Sequence, residues 1–304
     1  MFDRFAILFD NPAIAFVQFM NGLSRGMVLF VIAAGLTLIF GVLRVLNFAH
    51  GAFYMIGGYA VYSAAQVLTF PGGFWIAALA AGLFMAAIAW VIEVALLRRL
   101  YAREGLYQLL FTFALVLLLT DFVRALWGTQ ILRVPYPPEM AGASDLGITF
   151  YPTYLLFLSV FGVVVAAVLA WLVNRTRWGR LVRAATQDQE MLSALGINVR
   201  GLYTTVFVIG SFLAGLGGAL AAPRSGLDLS VHAGIIVECF IVVIIGGMGS
   251  LWGTFLGALI IGQVTVFGTL IFPDWEIVLV YLIMLAVLMT RPWGLLGTPP
   301  STRG

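Results

Sequence analysis

The chain has 304 residues, 62% of them hydrophobic and only 10% charged, with a formal net charge of +3 at pH 7. A soluble domain is about 45–50% apolar and about 25% charged, so this composition excludes a soluble protein and describes an integral membrane one. The long uncharged runs also exclude a membrane β-barrel, whose strands are about 10 residues of alternating polarity; an all-α bundle is left, because helices satisfy their own backbone groups in lipid.

In chain order, the opening stretch MFDRFAILFDNPA lacks a basic leader and carries Asp10 where an apolar core would continue, so no cleaved signal peptide is expected. Apolar stretches of spanning character follow at 13–40, 48–67, 74–97, 106–127, 151–173, 202–222, 235–245, 252–271 and 277–290. They predict a polytopic bundle of about eight or nine membrane segments, the count turning on the short 235–245 stretch. Arg25 interrupts the first of them, either near a helix end or facing a partner. The whole chain, 1–304, reads as a single transmembrane domain with no soluble domain and no low-complexity segment.

Orientation comes from the basic residues, all sixteen of which are arginine. Arg98, Arg99 and Arg103 share one loop, and Arg175, Arg177, Arg180, Arg183 and Arg200 share another two crossings later. Both loops face the cytoplasm under the positive-inside rule. Counting crossings from them puts Arg44, Arg291 and Arg303 inside as well, and the N-terminus outside. The loop 133–148, with Pro135, Pro137 and Pro138, faces outward and is too polar and turn-rich to span.

The polar island 175–200 is the least expected feature, because a short turn would suffice to join two spans. Leu181, Ala185, Leu192 and Leu195 recur at helical spacing, and Arg180, Arg183, Gln187 and Glu190 recur on another face. Gly196 and Asn198 supply helix-stop chemistry. The island therefore reads as a short amphipathic helix, either lying on headgroups or offering a docking surface to a cytoplasmic subunit. Asp188 and Glu190 weigh against simple adhesion to anionic lipid.

Two glycine-centred breaks stand in the two halves of the chain. Residues 41–59 carry Asn47, His50, Gly51 and further glycines, and residues 244–257 carry Gly246, Gly247, Gly249, Ser250 and Gly253. Paired interruptions of this kind point to discontinuous or re-entrant segments along a transport path; dense helix packing through small residues is the plainer alternative. Among other polar residues, Glu93 is expected to snorkel toward the inner interface, and Asp121 and Arg124 to pair on one helix face. Glu238 stands alone in an apolar run, a functional candidate because an intramembrane carboxylate is costly. Cys239 reads as a small core residue, and His50 and His232 form no metal-ligand spacing, so no metal site is expected. A chain without lysine has no P-loop lysine, so ATP hydrolysis of that kind must come from another protein.

Several of these stretches resemble one known family. The sequence Asn47-Phe48-Ala49-His50-Gly51 is similar to the signature that follows the first span in branched-chain amino acid permeases of ABC importers. Residues 184–199 resemble that family's cytoplasmic loop, 246–250 its second glycine motif, and Arg291-Pro292-Trp293-Gly294-Leu295 its C-terminal motif. The resemblance runs in register from about residue 21 to 296 and is nearer the shorter, H-type permease than the longer M-type one.

The resemblance implies a subunit of the bacterial inner membrane that is not itself an enzyme and holds no cofactor. It would form half of a translocation path together with a second, related permease. Two cytoplasmic ATPases and a periplasmic or lipid-anchored binding protein would complete the importer, with no nucleic-acid partner. Asn47, His50, Gly51, Glu238, Gly246, Gly247, Gly249 and Ser250 are the expected path residues. Arg183, Ala184, Gln187, Asp188, Met191, Leu192, Leu195 and Gly196 are the expected ATPase contacts, with the helix 183–195 transmitting closure. Branched-chain amino acids are the leading substrates, with urea, short amides or aromatic acids as alternatives. An ion-coupled secondary transporter would also fit the breaks, but it leaves the island without a role.

Overall fold

A computed structural model describes residues 11–101 and 103–297; the expectations for the N-terminal stretch and for Arg303 lie outside the described residues. The helices are α1 (Pro12–Leu43), α2 (Ala49–Val67), α3 (Gly73–Ala95), α4 (Gly105–Trp127), α5 (Thr153–Arg175), α6 (Arg177–Gln187), α7 (Gln189–Ala194), α8 (Val199–Ser225), α9 (Val231–Gly246), α10 (Leu251–Ile271) and α11 (Glu276–Thr290). A small antiparallel hairpin, β1 (Ala143–Asp145) and β2 (Phe150–Pro152), pairs Ser144 with Tyr151 in the outward loop before α5.

The architecture is a polytopic helical bundle. Among the described residues, seven helical stretches are long and apolar enough to cross a membrane. Two bundle helices fall outside that set. Helix α9 has only 16 residues. Helix α2 has 19, but they include His50, three glycines and three tyrosines.

Helix α1 is the hub. Its most apolar window is 83% buried inside the protein, against 6% for the C-terminal helical stretch ending at Thr290. Asn11 starts α1 by accepting a hydrogen bond from the Ala13 amide at 3.2 Å, with Pro12 at the first helical position. In lipid, helices gain little from hiding apolar side chains, so small residues that let backbones approach drive packing. Here α1 meets α8 where Gly35 faces Gly210, and a Cβ on Gly210 would stand 2.7 Å from the Gly35 carbonyl oxygen. On its other side α1 meets α10, where a Cβ on Gly26 would stand 2.8 Å from the Ala258 carbonyl oxygen. A buried hydrogen bond between the Thr37 and Thr254 hydroxyls, 2.6 Å long, joins the same two helices.

The arginine-rich segments gather at one end of this bundle. Arg44 donates to the Thr186 carbonyl at 3.0 Å, Arg98 donates to Thr204 of α8 at 2.8 Å, and the turn after Arg291 packs on the turn after α9. At the opposite end, Leu132 and Leu227 form an antiparallel bridge between the segments after α4 and α8.

Substituting Gly210 by Leu is expected to destabilise the purified protein by about 1–3 kcal/mol or more through overpacking. Substituting Gly105 by Ala, where nothing lies within 4 Å of the added atom, is expected to be neutral or slightly stabilising. Thermal unfolding in detergent compares the two.

Candidate functional site

Near the outward end, α1, α2, α8 and α9 enclose a cavity of about 310 Å³. Its charged residues are Arg25 of α1, Arg224 of α8 and Glu238 of α9, with Tyr54 of α2 and Ser225 and Ser230 adding hydroxyls. Val28, Leu29 and Ile235 supply an apolar wall. Arg25 and Glu238, 213 positions apart, form a salt bridge of 2.8 Å with side chains 34% and 30% exposed. An intramembrane charge is tolerated when it is paired or faces water, and Glu238 meets both conditions. Arg25 also borders two adjoining cavities of about 250 and 470 Å³, so the pair sits at a junction.

Asn47, His50 and Gly51 lie in a different part of the bundle core. Arg44 ends α1 in the left-handed conformation (φ 54°, ψ 28°), and the chain then runs irregularly to Ala49. His50 Nε2 meets the Ile32 carbonyl at 2.9 Å, eleven residues back along α1. At 1.5 Å per residue the segment has climbed roughly 16 Å back along the bundle. Irregular backbone at membrane depth needs polar partners from within the protein. Thr112 of α4 supplies them, accepting from the Phe48 amide at 3.4 Å and donating to the Leu46 carbonyl at 3.3 Å. This segment is therefore discontinuous, and α2 starts at depth. Because a carbonyl only accepts, His50 Nε2 carries the proton, and its buried Nδ1 has no partner among the described residues. Asn47 is 1% exposed, and neither atom of its amide is partnered among the described residues. Gly51 passes so close to the His232 carbonyl that a side chain would not fit, which brings the starts of α2 and α9 together.

The second glycine cluster lies at the inward end. Gly246 closes α9, Gly247 (φ 101°) and Gly249 (φ 84°) turn the chain, and Ser250 caps α10 by accepting from the Gly253 amide at 3.1 Å. The amides of Leu295 and Leu296 donate to the carbonyls of Ile245 and Gly246 at 2.7 and 3.0 Å. Two stretches that look like separate motifs in the sequence are thus one packed unit, with Gly247 wedged against Trp293 and Gly297. The structure brings neither this cluster nor the Asn47 segment to the rim of the outer cavity; of the expected path residues, Glu238 alone borders it.

The cytoplasmic island forms two helices, where the sequence pattern suggested one. Asp188 adopts an extended conformation between α6 and α7, and its carboxylate accepts from the Met191 amide at 2.9 Å. A side chain that caps a new helix competes with continuation of the old one. Val182, Ala185 and Leu192 face inward, whereas Arg183, Ala184, Gln187, Asp188, Met191, Leu195 and Gly196 are exposed. Leu195 is 71% exposed and Met191 58%, while Leu192 is 5% exposed and belongs to the core.

The island is tied to the bundle by polar bonds. Gln189 donates to the Val42 carbonyl at the end of α1 at 2.7 Å and accepts from the Tyr203 hydroxyl of α8. Tyr203 stacks edge-on with Tyr101, centroids 5.1 Å apart, and Tyr101 donates to Glu93 at 2.9 Å. Burial and the Glu93 carboxylate hold the Tyr101 phenol well above its ordinary pKa, so it stays a donor. Glu93 does not snorkel to the interface. It is fully buried, because Arg98 folds back to 3.3 Å and Tyr101 supplies a second bond. Asp121 and Arg124 do pair on one face of α4, at 2.8 Å and exposed. Among the described residues no three His, Cys, Asp or Glu side chains converge in a way that would hold a metal ion.

Arg25 and Arg224 line the cavity without having been among the expected path residues. The available signal was two isolated charges of opposite sign in apolar runs, Arg25 and Glu238, which in lipid seek each other.

This arrangement defines a multi-pass helical membrane protein with a polar outward cavity and an inward helical insert. The family described as branched-chain amino acid transport system / permease component matches residues 18–288. The chain belongs to that family of transport permease subunits and is a multi-pass protein of the bacterial inner membrane. It is 31% identical to the high-affinity branched-chain amino acid transport system permease protein BraD of Pseudomonas aeruginosa, over 93% of this chain and 95% of that one. It is 26% identical to the corresponding LivH protein of Escherichia coli, over 93% and 95%. The LivM permease of Escherichia coli is also 26% identical, but the match covers 69% of that longer protein.

A double-mutant cycle on Arg25→Met and Glu238→Met is expected to give a coupling of about 1 kcal/mol, because both side chains are partly solvated. Each single substitution is expected to destabilise more than half of the double one. Thermal unfolding of the four proteins in detergent measures it.

Proposed function

We propose that this chain is one of two permeases that line the path of an ATP-driven importer of branched-chain amino acids. One observation carries the reading: the inward insert is clamped to α1 and α8 on one face and leaves Met191 and Leu195 bare on the other. A helix resting on headgroups would turn its apolar side chains to lipid and would need no bonds to the ends of two central helices. Bonds at those positions suit an element that receives a push from a cytoplasmic subunit and passes it to the bundle.

In this reading ATP is hydrolysed by two ATPases on partner chains, since a chain without lysine carries no P-loop lysine. A second related permease completes the path, as the pairing of H-named and M-named relatives suggests. A binding protein on the outer side delivers the substrate, and this chain itself uses no cofactor. Transport then needs two arrangements of the membrane halves, biased in opposite directions by ATP and by the loaded binding protein. Arg183, Ala184, Gln187, Asp188 and Gly196 join Met191 and Leu195 on the docking face. Leu192 supports that face from beneath.

The double substitution Met191→Asp and Leu195→Glu is expected to leave the stability of the chain within about 0.5 kcal/mol, as surface changes do. ATP-driven leucine uptake by the reconstituted complex is expected to fall by about tenfold or more, a barrier change of about 1.4 kcal/mol. Leu192→Glu is expected instead to destabilise the chain by about 3 kcal/mol, by burying an unpaired charge. Uptake at the normal rate by the exposed double variant, or uptake by the purified chain alone on an ion gradient, contradicts the assignment.

A further inference from the structure

The outer cavity holds two guanidinium groups and one carboxylate. Arg25 is committed to Glu238 at 2.8 Å. The side chain of Arg224, in the last turn of α8, makes no ion pair and no hydrogen bond among the described residues. Its surroundings are tyrosines and the like-charged Arg25. An intramembrane cation without a protein partner must face water or an anion, and Arg224 faces the cavity with its guanidinium uncommitted. The guanidinium fork matches a carboxylate with two parallel hydrogen bonds. Across the same cavity stand Val28, Leu29 and Ile235, an aliphatic wall, and its volume of about 310 Å³ suits a small metabolite. Arg224 also borders the adjoining cavity of about 470 Å³ beside Gln18 and Asn21, which gives a ligand a polar way in.

We propose that this cavity is a recognition site for the zwitterion of an aliphatic amino acid, in which Arg224 binds the carboxylate and Glu238 receives the ammonium group. The proposal rests on the importer reading above and sharpens it. Urea and short amides offer no anion to Arg224 and no cation to Glu238, so the site discriminates against them. Arg25 holds one Glu238 oxygen at 2.8 Å and so orients the carboxylate, whose other oxygen meets the ammonium group. The aliphatic side chain lies against Val28, Leu29 and Ile235.

The test uses the complete importer in proteoliposomes, with its binding protein, radiolabelled leucine and a parallel assay of ATP hydrolysis. Arg224→Gln is expected to lower leucine uptake by about tenfold or more, which is about 1.4 kcal/mol. Stimulation of ATP hydrolysis by leucine-loaded binding protein is expected to persist, because docking on the outer face precedes entry into the cavity. Arg224→Lys, which keeps the charge and loses the fork, is expected to recover much of the uptake. Leucine uptake unchanged in Arg224→Gln overturns the site and leaves the importer reading intact. Loss of uptake together with loss of ATPase stimulation in both variants marks a structural role and also overturns the site. A wild-type complex that carries urea or acetamide but no leucine overturns the importer's substrate reading and the site with it.

Discussion

Everything in this bundle depends on how closely α1 approaches its two neighbours. Gly35 and Gly210 let α1 and α8 touch backbone to backbone, and Gly26 does the same against α10. Lipid removes the hydrophobic gain that would otherwise hold helices together, so contact at this range is what sets their positions. With α1, α8 and α10 fixed, the outward ends of α1 and α8 bring Arg25 and Arg224 to one cavity. The inward ends of the same two helices present Val42 and Tyr203 to Gln189. One packing decision thus places a charged cavity at one end and a clamp for the cytoplasmic insert at the other. A displacement of the insert has a direct mechanical route to the cavity walls through α1 and α8.

The second constraint is that backbone at membrane depth must find its partners inside the protein. The segment between α1 and α2 breaks helical bonding, and Thr112 and His50 meet the need with bonds across to α4 and α1. The side-chain amide of Asn47 and Nδ1 of His50 stay buried without a partner among the described residues, as do the hydroxyls of Ser24, Tyr59 and Ser211 elsewhere in the bundle. The inward glycine turn solves a related problem differently. There, Leu295 and Leu296 donate to the last carbonyls of α9, which a helix end leaves open.

The fold class was legible in the sequence because hydropathy and arginine placement are local signals, and lipid makes them strong. The spans, the inward loops and the small-residue seams follow from reading residues in order. The amphipathic island was legible as helix, yet its division at Asp188 was not, since whether a side chain caps or stays solvated depends on local backbone geometry. Leu192 and Leu195 share a period but not a fate, because the first meets the bundle and the second overhangs it. The Arg25–Glu238 pair joins residues 213 apart, and no periodic signal connects them. Glu93 looked like an interfacial carboxylate because its partners, Arg98 and Tyr101, fold back only once the chain has turned. Likewise, the two glycine stretches seemed equivalent as sequence, but one opens a discontinuous segment in the core and the other closes a turn at the inward end.

A coupling role for the insert requires its bare face to meet another protein. A photoreactive amino acid at Leu195, in the native membrane, reads that contact directly when its adducts are identified by mass spectrometry. Crosslinks to a cytoplasmic ATPase are expected, and fewer of them when the probe is moved to the half-buried Leu181. Adducts to lipid alone, in cells where the chain supports uptake, would contradict that role.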